Sequence, residues 1–453
     1  MTSGAPANPE LLDLATRIAG MAQPGEQVEA FVARSSNTTV RAYRGEVESL
    51  TQASSSGVGV RVVVDHREGF AYAGTLDEAV VLEALAEARD NARFSEPDEF
   101  NGLAEPDGVA PTPLDLWPNG LPEVPTADKV ALALDLERAT TGRDPRVSGV
   151  RVAMYSDSLG EAAVATSTGI QVWDRSGMGY LMVQALATEG DETQIAGGLS
   201  VGRELEELSV DEAADDAVLR ATRLLGSTKP ATQRLTLVLE PRMTATILGL
   251  IGGMLNGEAV LKGRSPFANR VGEQIASPLL TFVDDPTDPR SLGADTYDGE
   301  GLARRRNDLV RDGVLQGFLH NTYTGRRSGT ASTGSAARGV SSRPAVGATA
   351  LAVTPGTATH EELLAGVDLG LFVTSMAGLH SGVNPVSGDF SVGVEGLMVR
   401  DGALAEPVRE ATIASTLQRL LLDITAVGGD LEWQPDGTGG VTLVIPDVAL
   451  SGQ

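Results

Sequence analysis

The sequence predicts an α+β protein, with an N-terminal α/β layered domain built on an antiparallel sheet and a C-terminal domain of large curved β-sheets with few helices. Three observations favour this class. In the N-terminal half, strand-like runs lie close together, as in antiparallel hairpins, and helix patterns follow them. The remainder is rich in glycine and β-branched residues. Only 4% of the residues are aromatic and 53 of 453 are glycine, which suits strands packed through small side chains.

The first elements are predicted from hydrophobic alternation and helix-start signals. The predicted segments are a helix over 10–21 and strands over 27–33, 38–50, 57–65 and 67–73. The last two strands form a hairpin that turns near His66. Thr75 and Glu78 have the spacing of a capping box, so a helix begins there. Its buried face carries Val81, Leu85, Ala88 and Ala92.

A proline-rich connection over 95–125 interrupts the N-terminal domain, which we predict to span 1–226. Thr126 is expected to cap the next helix, which runs to about Thr140. Ser209 and Glu212 form a second capping box, and the helix behind them ends at Gly226 with Ala214, Val218, Ala221 and Leu225 buried. Between these helices, strands are predicted over 147–156, 160–166, 170–174, 178–188 and 193–199.

The C-terminal domain is predicted over 232–453, after a boundary at 227–231. It opens with an apolar strand over 235–239 and a helix that starts at Pro241. Because no side chain between 243 and 257 is ionisable, we expect this helix to be buried on all sides. Its glycines at 249, 252 and 253 are expected to admit another backbone. Further predicted elements are strands over 278–283, 347–353, 368–376, 388–399 and 440–446, and a short helix with Thr359 and Glu362 as its capping box.

Composition excludes several classes of function. The formal net charge is −26, and the only lysines are Lys129, Lys229 and Lys262, so we expect no direct binding to nucleic acid or to an anionic membrane. Cysteine is absent, which excludes disulfides and thiolate ligands. The first ten residues lack the pattern of a signal peptide, and no apolar run is long enough to span a bilayer. We therefore predict a cytoplasmic protein.

The four histidines do not have the spacing of a helical zinc pair. His360 falls at the solvated start of a short helix and His66 in a hairpin turn, whereas His320 and His380 lie where each can line a cleft. There is no G-x-S-x-G nucleophile motif. The run GVGVRV lies within a strand with no helix opening after it, so it does not indicate a dinucleotide site.

Loops that carry carboxylates or hydroxyls are the remaining candidates. The pairs Asp284–Asp285 and Asp298–Glu300 suit either cation binding and acid–base chemistry or turn capping, and Arg304 to Arg306 can pair with them. The loops over 332–339 and 387–391 either present N–H groups to a peptide or carboxylate, or pack as tight turns. We predict no catalytic or metal-binding residue. The candidate peptide or partner contacts are His320, Arg338, His380, Asp389, Ser391, Ser332, Thr333, Asp298 and Glu300.

The order of several motifs between 57 and 396 resembles the TldD/PmbA family. The matching segments are GVGVRVVVDHREGFAYAG, KGRSPFANRVGEQIASPLLTFVDDP, DGEGLARRRNDLVRDGVLQGFLHNTYTGRRSG, STGSAARG and GVNPVSGDFSVGVEG. The resemblance implies a heteromeric zinc metalloprotease. Its TldD subunit carries a His-Glu-x-x-x-His helix that supplies two zinc ligands, and a cysteine supplies a third.

At the corresponding positions, about 249–254, this chain reads GLIGGM. The resemblance is therefore to the TldE (PmbA) subunit, which implies no cofactor in this chain, zinc in a TldD-like catalytic partner, and peptide substrates such as leader peptides or unfolded antitoxin-like proteins. The family's older description as a modulator of DNA gyrase prompts a nucleic-acid function, which the acidic charge disfavours. Two alternatives stay open: an independent hydrolase that uses His320, His380 and the acidic loops, or a homodimeric peptide-binding protein.

Overall fold

The computed structural model describes residues 9–453, and the α+β class predicted from the sequence is confirmed. The segment on which the absence of a signal peptide was argued lies largely outside the described residues. In the part of the chain that the structure describes, every helix is too short or too polar to cross a lipid bilayer. The predicted division at 227–231 falls between a helix and a strand; as a domain boundary it stays a prediction.

Six antiparallel strands form one long sheet in the order β3-β2-β1-β4-β5-β6. Four helices cover one face of this sheet. Alternate residues of β1, such as Val28, Val32 and Val40, point toward these helices and pack in the hydrophobic cores between the helices and the sheet. The elements are α1 (Pro9–Ala19), β1 (Glu26–Tyr43), β2 (Glu46–Val64), β3 (Arg67–Ala73), α2 (Glu78–Phe94), α3 (Thr126–Arg143), β4 (Val147–Thr166), β5 (Gln171–Glu189), β6 (Glu192–Gly202) and α4 (Val210–Thr222).

Two pairs of strands predicted as separate are each one continuous strand, 147–156 with 160–166 in β4 and 170–174 with 178–188 in β5. The segment over 27–33 lies in β1, but the prediction of one strand over 38–50 was wrong, because the chain turns at Arg44 and Gly45 and passes from β1 into β2. The polar residues that interrupt the alternation do not break the pairing, since Ser35 and Ser36 stay in register with Ser55 and Ser54 of β2. Helix starts also differ from the prediction.

Asp77, rather than Thr75, accepts the N–H groups that begin α2. The residue before α3 is Pro125, so Thr126 is its first helical residue and gives no side-chain cap. Ser209 caps α4 as predicted, but the Glu212 carboxylate accepts from Ser200 Oγ instead of closing the box. The capping box of Thr359 and Glu362 is confirmed.

The C-terminal part contains two six-stranded sheets, in the orders β16-β15-β14-β7-β20-β17 and β10-β9-β8-β13-β19-β18. An additional pairing of β16 with β20 closes the first of these into a barrel. The strands are β7 (Gln233–Leu239), β8 (Phe282–Asp284), β9 (Asn307–Arg311), β10 (Val314–Leu315), β11 (Ala336–Ala337), β12 (Ala345–Val346), β13 (Leu351–Val353), β14 (Leu369–Ala377), β15 (Asp389–Arg400), β16 (Ala403–Thr416), β17 (Ala426–Val427), β18 (Glu432–Trp433), β19 (Gly439–Gly440) and β20 (Leu443–Ser451). The helices are α5 (Pro241–Met254), α6 (Gly257–Leu261), α7 (Thr322–Arg327), α8 (His360–Ala365), α9 (Leu379–Gly382) and α10 (Leu417–Leu422).

Helix α5 lies between the barrel and the second sheet, but it is not buried on all sides. Ile247, Leu248 and Ile251 face the core, whereas Gly249 and Gly253 are exposed on the opposite face. A Cβ added at either exposed glycine would have no neighbour within 4 Å, so neither admits another backbone. The sequence prediction was wrong here because an apolar composition hides which face of a helix meets solvent when glycine forms that face.

Candidate functional site

Positions 249–254 of α5, where the resemblance places the zinc motif, carry no group that binds zinc. Leu250 is half-buried, Met254 is buried, and glycine fills the exposed positions. Structural and catalytic zinc sites take imidazole, thiolate or carboxylate ligands. Among residues 9–453, no set of three His, Cys, Asp or Glu side chains is arranged to hold a metal ion. These residues therefore do not fit the metal that the family implies.

A buried ion cluster joins the long sheet to the C-terminal part. Glu29 on β1 pairs with Arg61 on β2 at 2.9 Å and with Arg338, which follows β11. Burial acts to raise the pKa of Glu29, but the two guanidinium groups outweigh it and hold that pKa below its ordinary value. Arg61 also lies 3.5 Å from Glu300. The cluster thus balances two carboxylates with two guanidinium groups away from solvent.

Asp298 and Glu300 are tied to backbone N–H groups beside this cluster. One Asp298 oxygen accepts from the N–H groups of Glu300 and Leu302, at 2.9 and 3.0 Å, and the other accepts from that of Ala336 at 3.0 Å. Glu300 accepts from the N–H of Thr322 at 2.8 Å. Burial, reinforced by the Glu300 charge, raises the pKa of Asp298 to about 7. Asp298 therefore takes up a proton in the physiological range while it holds two loops together.

Two adjoining cavities, of about 400 and 220 Å³, lie over the face of the sheet that the helices leave open. Arg338 lines both, and its guanidinium lies 4.9 Å above the Phe31 ring. The floor of the larger cavity is built from small residues of four strands, namely Ala33, Ser35, Ser55, Gly57, Gly160, Ala162 and Ser176. Charged groups of both signs, including Asp174, Arg175 and Asp295, line its walls.

His320, Ser332 and Thr333 come together elsewhere, beside an open cavity of about 860 Å³ that His320 and Thr333 line. The backbone N–H of His320 donates to Thr333 Oγ1 at 2.8 Å, and Ser332 Oγ donates to the backbone carbonyl of His320 at 3.2 Å. The imidazole Nδ1 lies 3.2 Å from Thr324 Oγ1. Burial lowers the pKa of His320, so its ring is neutral at physiological pH. His320 thus connects the loop at 332–333 with helix α7.

The remaining candidates are exposed and line none of the cavities described above. His380 lies in α9, and Asp389 and Ser391 open β15. Asp389 accepts from Ser387 Oγ at 2.6 Å. The nine candidates thus form three groups rather than one site: Asp298, Glu300 and Arg338 in or beside the ion cluster, His320, Ser332 and Thr333 beside the cavity of about 860 Å³, and His380, Asp389 and Ser391 on the surface.

The other acidic pair, Asp284 and Asp285, makes one set of long-range hydrogen bonds and one set of local ones. The buried Asp284 accepts from the N–H groups of Thr349 and Ala350, at 2.9 and 2.8 Å. Asp285 accepts from Thr287 Oγ1 at 2.5 Å and pairs with Arg306. Of the neighbouring arginines, Arg304 pairs with Asp295 and Arg305 with Asp107. Asp285 thus caps a turn through Thr287, whereas Asp284 connects the end of β8 to the segment before β13.

Sequence reasoning missed Glu29 and Arg61, which organise the ion cluster. Each stands alone within an apolar strand, in VEAF and VGVRVVV respectively. A single charge in a run whose neighbours are buried indicates a buried ion pair, because an unpaired charge there costs several kcal/mol. This signal was present in the sequence, although it does not identify the partner.

Comparison with known proteins identifies the family to which this architecture belongs. Family models for the PmbA/TldA metallopeptidase domain 1, central domain and C-terminal domain match residues 28–92, 119–225 and 232–452. The chain belongs to the PmbA/TldD metallopeptidase family. The family predicted from the sequence motifs, on its TldE (PmbA) side, is therefore confirmed.

Individual relatives are similar over most of their length. The metalloprotease PmbA of Escherichia coli O157:H7 is 26% identical over 94% of this chain and 92% of its own. A metalloprotease TldD homologue of Haemophilus influenzae is 25% identical over 87% of this chain and 86% of its own.

Solved structures show the same fold. A candidate modulator of DNA gyrase from Thermotoga maritima matches with a TM-score of 0.89 at 24% identity, over 97% of this chain and 99% of its own. TldE from Thermococcus kodakarensis matches with a TM-score of 0.86 at 24% identity, over 94% and 97%. At this level of identity these matches speak for the fold alone.

Proposed function

We propose that this chain is the non-catalytic subunit of a heteromeric zinc metalloprotease, and that a TldD-like sister subunit holds the zinc and cleaves the peptide. One observation carries the proposal: where the family motif requires two histidines and a glutamate, α5 has Gly249, Leu250 and Met254. Without ligands and without a carboxylate base, this segment cannot generate a zinc-bound hydroxide. No hydrolytic step is assigned to the chain.

The sister subunit is proposed to share this fold. Relatives named PmbA and TldD are both similar to this chain over most of their length, although only the TldD subunit is expected to carry the zinc motif. A chain that keeps the fold without the zinc ligands suits an assisting role, in which two related subunits enclose one peptide channel. The proposed substrates are unfolded segments and leader peptides, and the proposed location is the cytoplasm.

Direct binding to nucleic acid or to a membrane surface is not part of this proposal. The net charge of −26 would repel phosphate groups and anionic lipids alike. The description of one structural relative as a candidate modulator of DNA gyrase is therefore compatible with an indirect effect through a peptide.

The test compares the chain purified alone with the same chain co-purified with a partner that carries the His-Glu-x-x-x-His motif. Zinc is measured by mass spectrometry, and cleavage is followed with a fluorogenic unstructured peptide. We expect no bound zinc and no cleavage for the chain alone, and one zinc per heterodimer with cleavage for the complex. One equivalent of zinc together with peptidase activity in the isolated chain would contradict the proposal.

Histidine variants test the alternative that this chain is an independent hydrolase. If the isolated chain cleaves the peptide and the double variant H320Q/H380Q loses that activity, the independent-hydrolase alternative is supported. H66Q and H360Q serve as controls, because neither His66 nor His360 belongs to the three candidate groups or lines a cavity described above. If the chain is inactive alone yet required in the complex, the assisting role is supported.

A further inference from the structure

The cavity of about 860 Å³ beside His320, here called the His320 cavity, lies next to the end of the helix that carries the motif positions. The backbone N–H of Leu319 donates to the carbonyl of Leu255 at 3.0 Å, and the N–H of Gly257 donates to the carbonyl of Leu319 at 2.8 Å. Leu255 directly follows α5. His320, the residue after Leu319, therefore lies beside the chain that leaves α5.

The imidazole of His320 is held in place, yet one of its nitrogens has no partner. The residue is only 5% exposed, and its Nδ1 lies 3.2 Å from Thr324 Oγ1. A Cβ at Gly257 would collide with Nδ1, so glycine is required there to leave room for the ring. Within residues 9–453, Nε2 makes no hydrogen bond. Because a hydroxyl can either donate or accept at Nδ1, the neutral ring can accept or donate at Nε2.

The other polar side chains that line the His320 cavity are neutral or already paired. Arg306 and Asp308 pair with one another at 2.9 Å. Asn307 donates through Nδ2 to two backbone carbonyls, and its Oδ1 accepts no hydrogen bond from the described part of the chain. The cavity therefore offers free hydrogen-bonding atoms without a net charge, which suits an uncharged polar ligand.

Apolar side chains form the rest of the cavity lining. Val271 is 54% exposed there, and Phe318 is half-buried. A mainly apolar lining with a few convergent polar atoms is typical of a ligand site. The apolar residues are Val260, Leu261, Ala268, Val271, Leu309 and Phe318.

We infer that the His320 cavity binds an uncharged stretch of extended peptide that carries one large apolar side chain. Backbone amide groups of the peptide hydrogen-bond to His320 Nε2 and Asn307 Oδ1, because an amide offers both an acceptor and a donor. The apolar side chain packs against Val271 and Phe318. Phosphate-bearing ligands are disfavoured by the net charge of −26.

The choice of a peptide as the occupant rests on the proposed function. In a sister subunit of the same fold, the equivalent position lies beside the helix that carries the zinc ligands, where the peptide has to pass. The cavity in this chain would then hold a second stretch of the same substrate and select it by its apolar side chain.

Peptide binding to the full chain, purified alone, is measured by fluorescence anisotropy. The probe is a serine–glycine peptide with one central leucine, blocked termini and a neutral dye, so that it carries no charge. It should bind about tenfold more tightly than the same peptide with glycine or glutamate in place of leucine. Inorganic phosphate should not displace it. No binding, equal binding of the three peptides, or displacement by phosphate would overturn the inference.

Matched charge substitutions locate the bound peptide. V271E places a carboxylate on the apolar lining and should weaken binding of the leucine peptide about tenfold. L279E adds the same charge outside the cavity, at a side chain of similar exposure (57% against 54%), and should change binding by less than about twofold. Because Val271 and Leu279 both meet solvent, neither variant depends on repacking the core. Equal effects of V271E and L279E would overturn the inference.

H320A tests the polar part of the site. It should weaken binding about fivefold through the loss of one hydrogen bond, and an unchanged affinity in the folded variant would contradict the role of Nε2. V271E decides the matter if H320A does not fold, as judged by circular dichroism.

Failure of this inference and failure of the proposed function are distinguishable. If the complex with a zinc-bearing partner cleaves the leucine peptide, and V271E neither weakens binding nor slows cleavage, the inference is refuted and the assisting role stands. If the isolated chain holds zinc and cleaves the peptide, the proposed function is refuted, whichever peptide the cavity selects.

Discussion

At the scale of single residues, Arg338 shows how one side chain couples two parts of the molecule. Its guanidinium pairs with Glu29 of the long sheet, stacks on Phe31, and lines both cavities on that face. Removing one member of a buried ion pair usually costs more than the pair contributes, because the remaining charge is stranded. The main effect of the cluster is therefore to position the C-terminal loops against the sheet, and its net contribution to stability is small.

The raised pKa of Asp298 leads to a pH-dependent prediction. Its carboxyl titrates near 7 in the folded chain, against 3.8 as its ordinary value, so the folded state holds the extra proton between these limits. The contribution of Asp298 to the free energy of unfolding is complete below the ordinary pKa and is lost as pH rises through about 7. D298N does not titrate and lacks this loss.

Thermal unfolding of the natural chain and of D298N, followed between about pH 5 and pH 8, measures this effect. The melting temperature of D298N should rise relative to that of the natural chain across this interval. D288N is the control, because the pKa of Asp288 is lowered, chiefly by hydrogen bonds from the Arg290 side chain, and its titration lies below the interval. A constant difference between D298N and the natural chain would contradict the assignment.

At the scale of elements, α5 shows that glycines in one helix have different roles. A Cβ at Gly252 would lie 2.6 Å from Leu351 Cδ2, whereas one at Gly253 would meet nothing within 4 Å. Gly252 is therefore a packing requirement, and Gly253 only weakens the helix. The sequence shows both glycines but does not separate these roles, because the packing partner lies about a hundred residues away.

We predict opposite effects for two alanine substitutions in α5. G253A should raise the free energy of unfolding by about 0.5–1 kcal/mol through helix propensity. G252A should lower it by about 1 kcal/mol or more, because the buried Leu351 has to move. Urea unfolding followed by circular dichroism gives both values, and equal changes in the two variants would show that the packing difference is absent.

At the scale of the whole molecule, a salt-bridge network spans the segment between α4 and β7. Arg220 of α4 donates to both carboxylate oxygens of Glu240, at 2.8 and 2.9 Å, and Glu240 immediately precedes α5. Asp216 of α4 also accepts from Arg242 at 2.7 Å. The N-terminal sheet is thus anchored to the start of the helix that carries the motif positions.

E240Q should loosen this anchor and expose the connecting segment. An amide places donors opposite the donors of Arg220, and removing one partner of a buried pair costs about 3 kcal/mol. Lys229 is exposed in this segment and Pro230 follows it, so a protease that cleaves on the amino side of lysine should cut the Thr228–Lys229 bond several-fold faster in E240Q. Cleavage at Lys262 serves as an internal reference, and E406Q, which alters an exposed pair with Arg400, is the matched control. An unchanged rate at Lys229 would exclude the anchoring role.

The fold class, most of the elements and the family could be predicted from the amino-acid sequence, because hydrophobic period, turn residues and motif order are local properties of the chain. It also showed that positions 249–254 lack zinc ligands. The three-dimensional structure was needed to show which face of α5 is exposed, that Glu29 pairs with Arg338, and that the nine candidate residues form three groups. Those facts depend on contacts between residues far apart in the chain, and no local pattern specifies such partners.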